Sequence, residues 1–452
     1  MVNRFKNQKF FNDRPDRILN LANRLTPLLN ELHSIDRSER FWLHLLSLYF
    51  KSCIGQQEYM SSKGFSPKVP LNIINSYVPI TRKQIIFGYV GYVLKALQSK
   101  TKFKDVKRVL LKSNVIICGT RKEKIKAAIG GDFFENFIPL KVLIKPNISR
   151  RRKNRIIAES QKDIFIKNVL LCLPRFYVEY FDWFIKKIPI LNSNQKEFHF
   201  EHTGGVFDEY LLAQYQSKGS RVVAYQTGGY MGELKDHPDK TLYEVIDELR
   251  TYGWKYHRKD FPFRALRLEE YMNNYSSVDV QNPNIDLLIV FSKIDQRKID
   301  YYNSIIDNIE NNIDREKFRE ITCRMRPTSL SKVGFNSTQK LVIPKSFNVD
   351  YGRDPMFKVS ANAELVLITD WPSTNFLESL KVGKPVLIIT DFFRQPAPQV
   401  LEYISFFKQE KVIHESVTSL IEFINNVDIA TWQKEVQSKS KFKEFKKLYL
   451  GE

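Results

Sequence analysis

The 452-residue sequence has few cysteines and lacks any long hydrophobic run. Its four cysteines, Cys53, Cys118, Cys172 and Cys323, lie far apart and mostly in apolar surroundings. This is typical of buried reduced thiols in a cytosolic protein and not of a disulfide framework. No stretch approaches the ~18 apolar residues of a membrane span, and the first residues contain no apolar signal core. We therefore expect a cytoplasmic protein, with peripheral contact to the inner face of the membrane as an alternative.

Sequence signatures of nucleic-acid binding and of metal binding are also lacking. We find no zinc-ligand spacing, no strand like those of RNA-recognition domains and no basic leucine zipper. There is no Asp-x-Asp in an apolar setting suited to a metal, and no cluster of His and Cys ligands. We therefore expect no nucleic-acid partner and no essential metal ion.

Acidic residues are outnumbered by basic ones. Lys and Arg number 71 against 50 Asp and Glu, a formal net charge of +21, and the pI is near 9.5. Such a balance favours a polyanionic partner, which could be nucleic acid, anionic lipid or an acidic glycan. Because no nucleic-acid signature accompanies the charge, the membrane surface and the glycan are favoured. A non-catalytic protein that binds polyanions through this charge alone is the alternative from a different functional class.

What the sequence does contain is an alternation of short apolar runs and helical patterns. Hydrophobic residues make up 43% of the chain, and 452 residues are long enough for two ordinary domains. The apolar runs are typical of buried parallel strands, so the predicted fold class is α/β. The predicted strands are 115–118, 198–201, 221–225, 285–291, 321–325, 342–345, 365–368 and 386–389.

These patterns divide the chain into four parts. Residues 1–105 are predicted to form a mainly helical extension of a first Rossmann-like domain, which covers 106–280. The polar stretch 273–284 is the predicted linker, and the second Rossmann-like domain is predicted over 283–428. The last part, 429–452, is predicted to be a helix with one apolar side. It either packs back on the first domain or lies on anionic lipid.

The stretch around the seventh predicted strand has the features of a ligand site. Ser373 and Thr374 stand where a helix should start, just beyond the carboxyl end of strand 365–368. Open α/β sheets bind ligands there, and the first amide groups of such a helix favour an anion such as phosphate. Glu378, one turn later, could accept hydrogen bonds from a ribose or sugar hydroxyl. The alternative is that Ser-Thr is only a helix cap and Glu378 a surface charge.

The residues of this stretch carry a first resemblance. Ser-Thr-Asn-Phe-Leu-Glu-Ser-Leu at 373–380, followed by Gly-Lys-Pro-Val at 383–386, resembles the donor-site segment of GT-B-fold glycosyltransferases. In that superfamily a Ser/Thr-rich turn and a following Glu hold the nucleotide sugar. The resemblance implies two facing Rossmann-like domains, with acceptor and catalytic groups in the first and the donor in the second. It implies donor contacts from Ser373, Thr374, Asn375 and Glu378.

A second resemblance lies in the Gly-rich turn after strand 221–225. The segment Gln-Thr-Gly-Gly-Tyr-Met-Gly at 226–232 and the later Tyr-Gly-Trp at 252–254 are similar to segments of transferases encoded with bacterial surface-carbohydrate genes. That group has Gln-His-Gly-Gly-x-Tyr-Gly and Trp-Gly-Trp, so Thr227 and Met231 depart from its pattern. Glycines let backbone amides approach a ligand closely, so Gly228 and Gly229 are candidate donor contacts.

The second resemblance also implies a reaction. It favours transfer of 3-deoxy-manno-octulosonic acid (Kdo) or a related acidic sugar from a CMP-activated donor, during O-antigen, lipopolysaccharide or capsule synthesis. The partners are then CMP-Kdo, which is a substrate and not a cofactor, and a surface-polysaccharide or lipid-linked glycan acceptor. A UDP- or GDP-hexose donor remains open, and so does glycerophosphate or another activated polyol phosphate.

Catalytic candidates follow the Gly-rich turn. A carboxylate beside the anomeric carbon could take a proton from the acceptor hydroxyl or form a covalent glycosyl intermediate. The candidates are Glu233, Asp236, His237 and Asp247. The alternative for each carboxylate is an ordinary surface or capping role.

Basic side chains could neutralise the leaving phosphate without a metal. Arg324 and Arg326 alternate along strand 321–325 and its end, and would make a bidentate clamp for phosphate or carboxylate. Lys345 is a further candidate. The alternative is an ordinary edge-strand charge pattern.

Overall fold

The computed structural model describes residues 15–62, 115–118, 163–171, 173, 181, 197–200, 206–235, 238, 240–266, 268–269, 283–291, 299–325, 341–390 and 395–452. These residues belong to two compact units. The first unit comprises Met1–Tyr225 and Asp239–Leu249, and the second comprises Gln226–Pro238 and Arg250–Glu452. The predicted linker falls almost entirely outside the described residues, so the domain boundary near residue 280 stays a prediction.

The first unit begins with two helices, α1 (Pro15–His33) and α2 (Glu39–Ser62). Helix α2 starts after Ser38, whose Oγ accepts the N–H of Phe41 at 3.3 Å. Four aromatic side chains at the start and middle of α2 are buried: Phe41, Trp42, Tyr49 and Phe50. These aromatic residues therefore belong to the core of the first unit.

The remaining elements of the first unit are a sheet and short helices. The helices are α3 (Ile164–Leu171), α4 (Val206–Ser217) and α5 (Lys240–Val245), and the strands are β1 (Val115–Cys118), β2 (Glu197–Phe200), β3 (Arg221–Tyr225) and β4 (Glu248–Thr251). Strands β1, β2 and β3 are parallel neighbours. The boundary of the first unit falls within β4, and β5 (Asp260–Pro262) belongs to the second unit.

The second unit contains a larger parallel sheet. Its described strands are β6 (Ile285–Phe291), β7 (Ile321–Met325), β8 (Asn348–Asp350), β9 (Ala363–Ile368), β10 (Val386–Ile389) and β11 (Ile413–His414). They lie in the order β11-β10-β9-β6-β7-β8, and each neighbouring pair is parallel. Among the strands of this sheet, β6 comes first in the chain and β9 comes fourth, yet the two are neighbours. This is the order reversal of a doubly wound Rossmann-like sheet. The predicted α/β class with parallel sheets is confirmed.

Helices follow most strands of this sheet. They are α6 (Ile299–Asn312), α7 (Met356–Ala361), α8 (Thr374–Lys381), α9 (Leu401–Gln409), α10 (Val417–Asn426), α11 (Ile429–Ser438) and α12 (Ser440–Leu450). The core on one side of the sheet joins Leu287, Ile289 and Leu367 of the strands to Ile305 and Ile309 of α6. Because these strands are covered by helices, their sequences are nearly continuous apolar runs.

One predicted strand is wrong. Residues 342–345 form no strand, and the edge strand of the sheet is β8, with Thr322 opposite Asn348. Pro344 has no N–H to give to a ladder. Val342 is 59% exposed, and its N–H donates to the side chain of Asn303 at 2.9 Å. The apolar run therefore belongs to a loop that forms a hydrogen bond to α6.

The predicted C-terminal helix is two helices. Lys439 has extended backbone, with ψ at 138°, and separates α11 from α12. The turn lets α12 place Phe442 and Phe445 against Phe407 of α9, with ring centroids 6.3 Å and 4.9 Å apart. Tyr449 packs on Tyr403 in the same way. The apolar side of α12 is therefore buried within the second unit.

Two of the predicted buried cysteines are confirmed. Cys53 and Cys323 are both fully buried, and burial raises the pKa of the Cys323 thiol to about 12. Within the described ranges, no helix has the length and apolar composition needed to cross a membrane.

Candidate functional site

The start of α8 lies at the order reversal of the second sheet. The backbone N–H and the side-chain hydroxyl of Thr369, just after β9, both donate to the carbonyl of Val290 in β6, at 3.1 Å and 3.0 Å. Four residues later Ser373 caps α8, and its Oγ accepts the N–H of Asn375 at 3.2 Å. The predicted helix start is confirmed. It stands beyond the carboxyl ends of β6 and β9, where open α/β sheets bind ligands.

The Gly-rich turn lies directly on this helix start. The N–H of Gly229 donates to Thr374 Oγ1 at 3.1 Å. A Cβ atom on Gly228 would be 2.7 Å from the same oxygen, and one on Gly229 would be 3.2 Å from the carbonyl of Ser373. A side chain at either position would require neighbouring atoms to shift, so glycine suits this close approach. The structure therefore brings together four predicted site residues that are far apart in sequence.

Gln226 organises the turn from inside. Its carboxamide oxygen accepts the N–H of Tyr252 and the indole N–H of Trp254, both at 2.9 Å. Its amino group donates to the carbonyls of Gly228 and Met231 at 3.0 Å and 3.3 Å. All four hydrogen-bonding positions of the buried amide are thus used. Sequence reasoning noted Gln226 and Trp254 as motif residues but assigned them no role.

Glycine is also required at a third position of the turn. Gly232 has a φ of +82°, and a Cβ there would be 2.5 Å from the Trp254 ring. Two further residues of the turn fill the space beside it. Thr227 Oγ1 lies 3.0 Å from the hydroxyl of Tyr230, and the Thr227 N–H lies 3.4 Å from the sulfur of Met231. The two departures from the resembled motif therefore pack against each other.

Glu233 lies beneath the turn. Its side chain is fully buried, and neither carboxyl oxygen has a hydrogen-bond partner within the described part of the chain. A Cβ on Gly229 would be 3.3 Å from Glu233 Oε1, so the carboxyl lies against the turn that contacts α8. Burial raises the pKa of Glu233 well above its usual value, because the charged form loses its hydration.

A pair of tyrosines lies near this carboxyl. The hydroxyls of Tyr256 and Tyr449 are 2.6 Å apart, and the Tyr256 ring stacks on Trp254 with centroids 5.0 Å apart. Burial raises the pKa of both phenols, and the negative charge of Glu233 adds to the effect on each. Glu233 therefore lies in a region where proton-bearing groups are held in their neutral forms.

Residues 83–452 match the family described as LIC12162 family transferase. The chain belongs to this family. No curated protein and no solved structure matches it. The family makes the chain a transferase, which uses a donor and an acceptor, so a purely non-catalytic polyanion-binding role is not retained. The Gly-rich turn, Glu233 and α8 all lie inside the matched residues, whereas α1 and α2 precede them.

In this LIC12162 family transferase, Arg324 already has partners. Its guanidinium forms an ion pair with Asp350 of the adjacent strand and donates to the carbonyl of Asp354 at 2.6 Å. Its side chain is 11% exposed. A phosphate would have to share Arg324 with Asp350. Arg326, the predicted second arm of the clamp, lies outside the described residues, and Lys345 is exposed in the loop before β8.

Asp247 of the transferase belongs to the first unit and has a structural environment. Its Oδ1 accepts from Arg40 of α2, and its Oδ2 accepts the N–H of Val222 in β3, both at 2.8 Å. Burial by itself would raise the pKa of Asp247. The hydrogen bonds from Val222 and Arg40 outweigh this effect, so the pKa lies below its usual value. Both carboxylate oxygens of Asp247 therefore accept hydrogen bonds, and the residue links α2 to β3.

The remaining candidates are placed only in part. Asn375 and Glu378 are half-buried on the first turns of α8, beside the contact with Gly229. Asp236 and His237 lie outside the described residues. Over the described ranges, no group of His, Cys, Asp and Glu is arranged to hold a metal ion.

Proposed function

We propose that this transferase is a glycosyltransferase of the GT-B class that binds a nucleotide sugar in its second unit. The observation that carries the proposal is the position of α8. Its capped N-terminus stands at the order reversal of a doubly wound parallel sheet, where such sheets hold nucleotides. The resemblance of residues 373–386 to a donor-site segment supports the same assignment.

The start of α8 would hold the phosphates of the donor. The positive end of the helix dipole and the hydroxyls of Ser373 and Thr374 favour a negatively charged group. Glu378 would accept hydrogen bonds from a ribose or sugar hydroxyl. The helix would stabilise the charge that develops on the leaving phosphate, so this part of the reaction would need no metal. Arg324, Arg326 and Lys345 are proposed to assist.

Glu233 is the proposed acid or base. A buried carboxyl that favours its protonated form can give a proton to the leaving group or, once ionised, take one from the acceptor hydroxyl. Asp236, His237 and Asp247 remain alternatives for one of these roles. Full burial of Glu233 means that the turn over it must move before the carboxyl can touch a substrate.

The favoured donor is a CMP-activated acidic sugar of the Kdo type, and the favoured acceptor is a surface-polysaccharide or lipid-linked glycan. The support is the resemblance of the Gly-rich turn, together with a basic chain that suits an acidic sugar. UDP- or GDP-hexoses and activated polyol phosphates are the alternative donors.

Thermal unfolding with a panel of nucleotides tests the proposal. We expect one of CMP, CDP, UDP, GDP and ADP to raise the unfolding midpoint, because a ligand at ~100 times its Kd adds about 2.7 kcal/mol. CMP alone would support the acidic sugar, and UDP or GDP would change the donor. If no nucleotide shifts the midpoint, the proposed donor site is wrong.

A matched pair of variants localises the effect. Ser373→Ala removes the cap of α8. Ser416→Ala removes the equivalent cap of α10, where the Oγ of Ser416 accepts the N–H of Ser419. Each should cost about 1 kcal/mol of stability. Only Ser373→Ala should also reduce the nucleotide-induced shift; an equal reduction in both would place the nucleotide elsewhere.

A further inference from the structure

A basic and aromatic loop lies outside the proposed donor site. We call residues 255–264 the basic loop; it runs from the residue after Trp254 through β5. Lys255, Arg258 and Arg264 are exposed, and Lys259 is half-buried. The acidic residue of the loop, Asp260, is 3% exposed, whereas Phe261 is 51% exposed. The outer surface of the loop therefore combines positive charge with a large apolar side chain.

Hydrogen bonds hold the basic loop in one conformation. The buried carboxylate of Asp260 accepts the N–H of Tyr256 at 2.9 Å and that of His257 at 2.6 Å. The N–H of Asp260 donates to the carbonyl of His257 at 3.0 Å. The outward side chains are thus presented by a fixed backbone, and little conformational entropy is lost when they bind a partner.

The neighbouring helix end extends the positive surface. A Cβ on Gly253 would be 2.3 Å from the carbonyl of Lys447, so the start of the loop lies against the last turns of α12. Lys447 is exposed. Two nearby basic residues have acidic partners. Lys446 forms an ion pair with Glu452, and the guanidinium of Arg264 lies 3.5 Å from the carboxylate of Glu269. Lys255, Arg258 and Lys447 carry the argument.

Phe261 lies on an exposed part of β5. In this strand the side chain of Asp260 is buried, whereas those of Phe261 and Pro262 are exposed. A single exposed apolar side chain is common and carries no meaning by itself. Phe261 differs because Arg258, Lys259 and Arg264 stand near it in the sequence, and phosphate groups alone offer its ring no apolar contact. This combination matches an interface that is charged outside and apolar within.

We propose that the basic loop docks this transferase on an anionic lipid surface, with Phe261 entering the headgroup region and Lys255 and Arg258 contacting lipid phosphates. The occupant is a bilayer surface and not a soluble polyanion, because both the charge and the ring are then used. The inference does not depend on the proposed donor site.

Sedimentation of the full chain with vesicles tests the proposal. We expect binding to phosphatidylcholine vesicles that contain phosphatidylglycerol, and much weaker binding to phosphatidylcholine alone. Lys255→Ala/Arg258→Ala should weaken binding about 25-fold, since each base near the surface contributes about fivefold. Phe261→Ser should also weaken binding, and its effect should persist at high salt.

Matched controls lie elsewhere on the second unit. Arg319→Ala/Lys434→Ala removes the same charges from exposed positions, and Val342→Ser removes an apolar side chain that is 59% exposed. Both controls should bind like the wild type, and unfolding midpoints should show that all variants fold. The proposal is overturned if the controls weaken binding equally, if the vesicles do not bind, or if Phe261→Ser has no effect, which would indicate a soluble polyanion instead.

Discussion

At the scale of single residues, Glu233 has an unusual environment. It is fully buried, and within the described residues neither of its carboxyl oxygens has a hydrogen-bond partner. A buried carboxyl in this position resists ionisation, and its pKa in the folded protein lies well above the usual 4.5. The unfolded chain ionises first as the pH rises, so this residue lowers the free energy of unfolding above about pH 4.5.

This gives a prediction for Glu233→Gln. Between about pH 4.5 and the raised pKa, the wild type should lose up to about 1.4 kcal/mol of stability per pH unit relative to the variant, which cannot ionise. Urea unfolding over a pH series measures the difference. Glu422→Gln, at an exposed position of α10, should show no such divergence. Parallel curves for wild type and Glu233→Gln would show that the carboxyl is not held neutral.

At the scale of elements, the contact between the Gly-rich turn and α8 includes a hydrogen bond from the N–H of Gly229 to Thr374 Oγ1. Thr374→Val keeps the shape of the side chain but leaves the buried N–H of Gly229 without its acceptor, at a cost of about 1–3 kcal/mol. Thr374→Ser keeps the hydroxyl and is the matched control. We expect faster hydrogen exchange at the Gly229 amide in Thr374→Val only. Equal exchange in both variants would mean that the hydroxyl does not hold the turn.

At the scale of the whole molecule, the two N-terminal helices precede the residues matched by the family, yet they form part of the first core. Leu46 of α2 is fully buried, and His44 of the same helix lies 2.7 Å from Gln216 of α4. Gln216 in turn donates to the carbonyl of Val245 in α5 at 3.0 Å. The helix pair therefore stabilises the first unit through apolar packing and a polar link.

We expect Leu46→Ala to destabilise the first unit by about 2–5 kcal/mol, since it removes a fully buried side chain and leaves a cavity. Hydrogen exchange of the α4 amides should speed up accordingly. Asn23→Ala, at an exposed position of α1, is the control and should change little. If Leu46→Ala leaves the exchange of α4 unchanged, α2 is not part of this core.

Much of the local structure was predictable. The bounds of β1, β3, β6, β7 and β10 agree with the predicted strands, because a buried parallel strand is a continuous apolar run between turn residues. The start of α8 was predictable because Ser373 is a strong cap. The run at 342–345 misled because apolarity alone does not reveal pairing. Only the register with β7 selects Asn348–Asp350 as the edge strand.

The sequence by itself determined the α/β class, most strands, the capped helix and the presence of a Gly-rich turn, since all follow from side chains within a few residues of one another. The tertiary structure alone decided that Gly229 contacts Thr374, that Glu233 is buried with no hydrogen-bond partner among the described residues, and that Arg324 pairs with Asp350. These facts depend on groups far apart in the chain. The distances between these groups, and the loss of water around them, arise only when the strands, helices and turns pack together. No local sequence pattern encodes them.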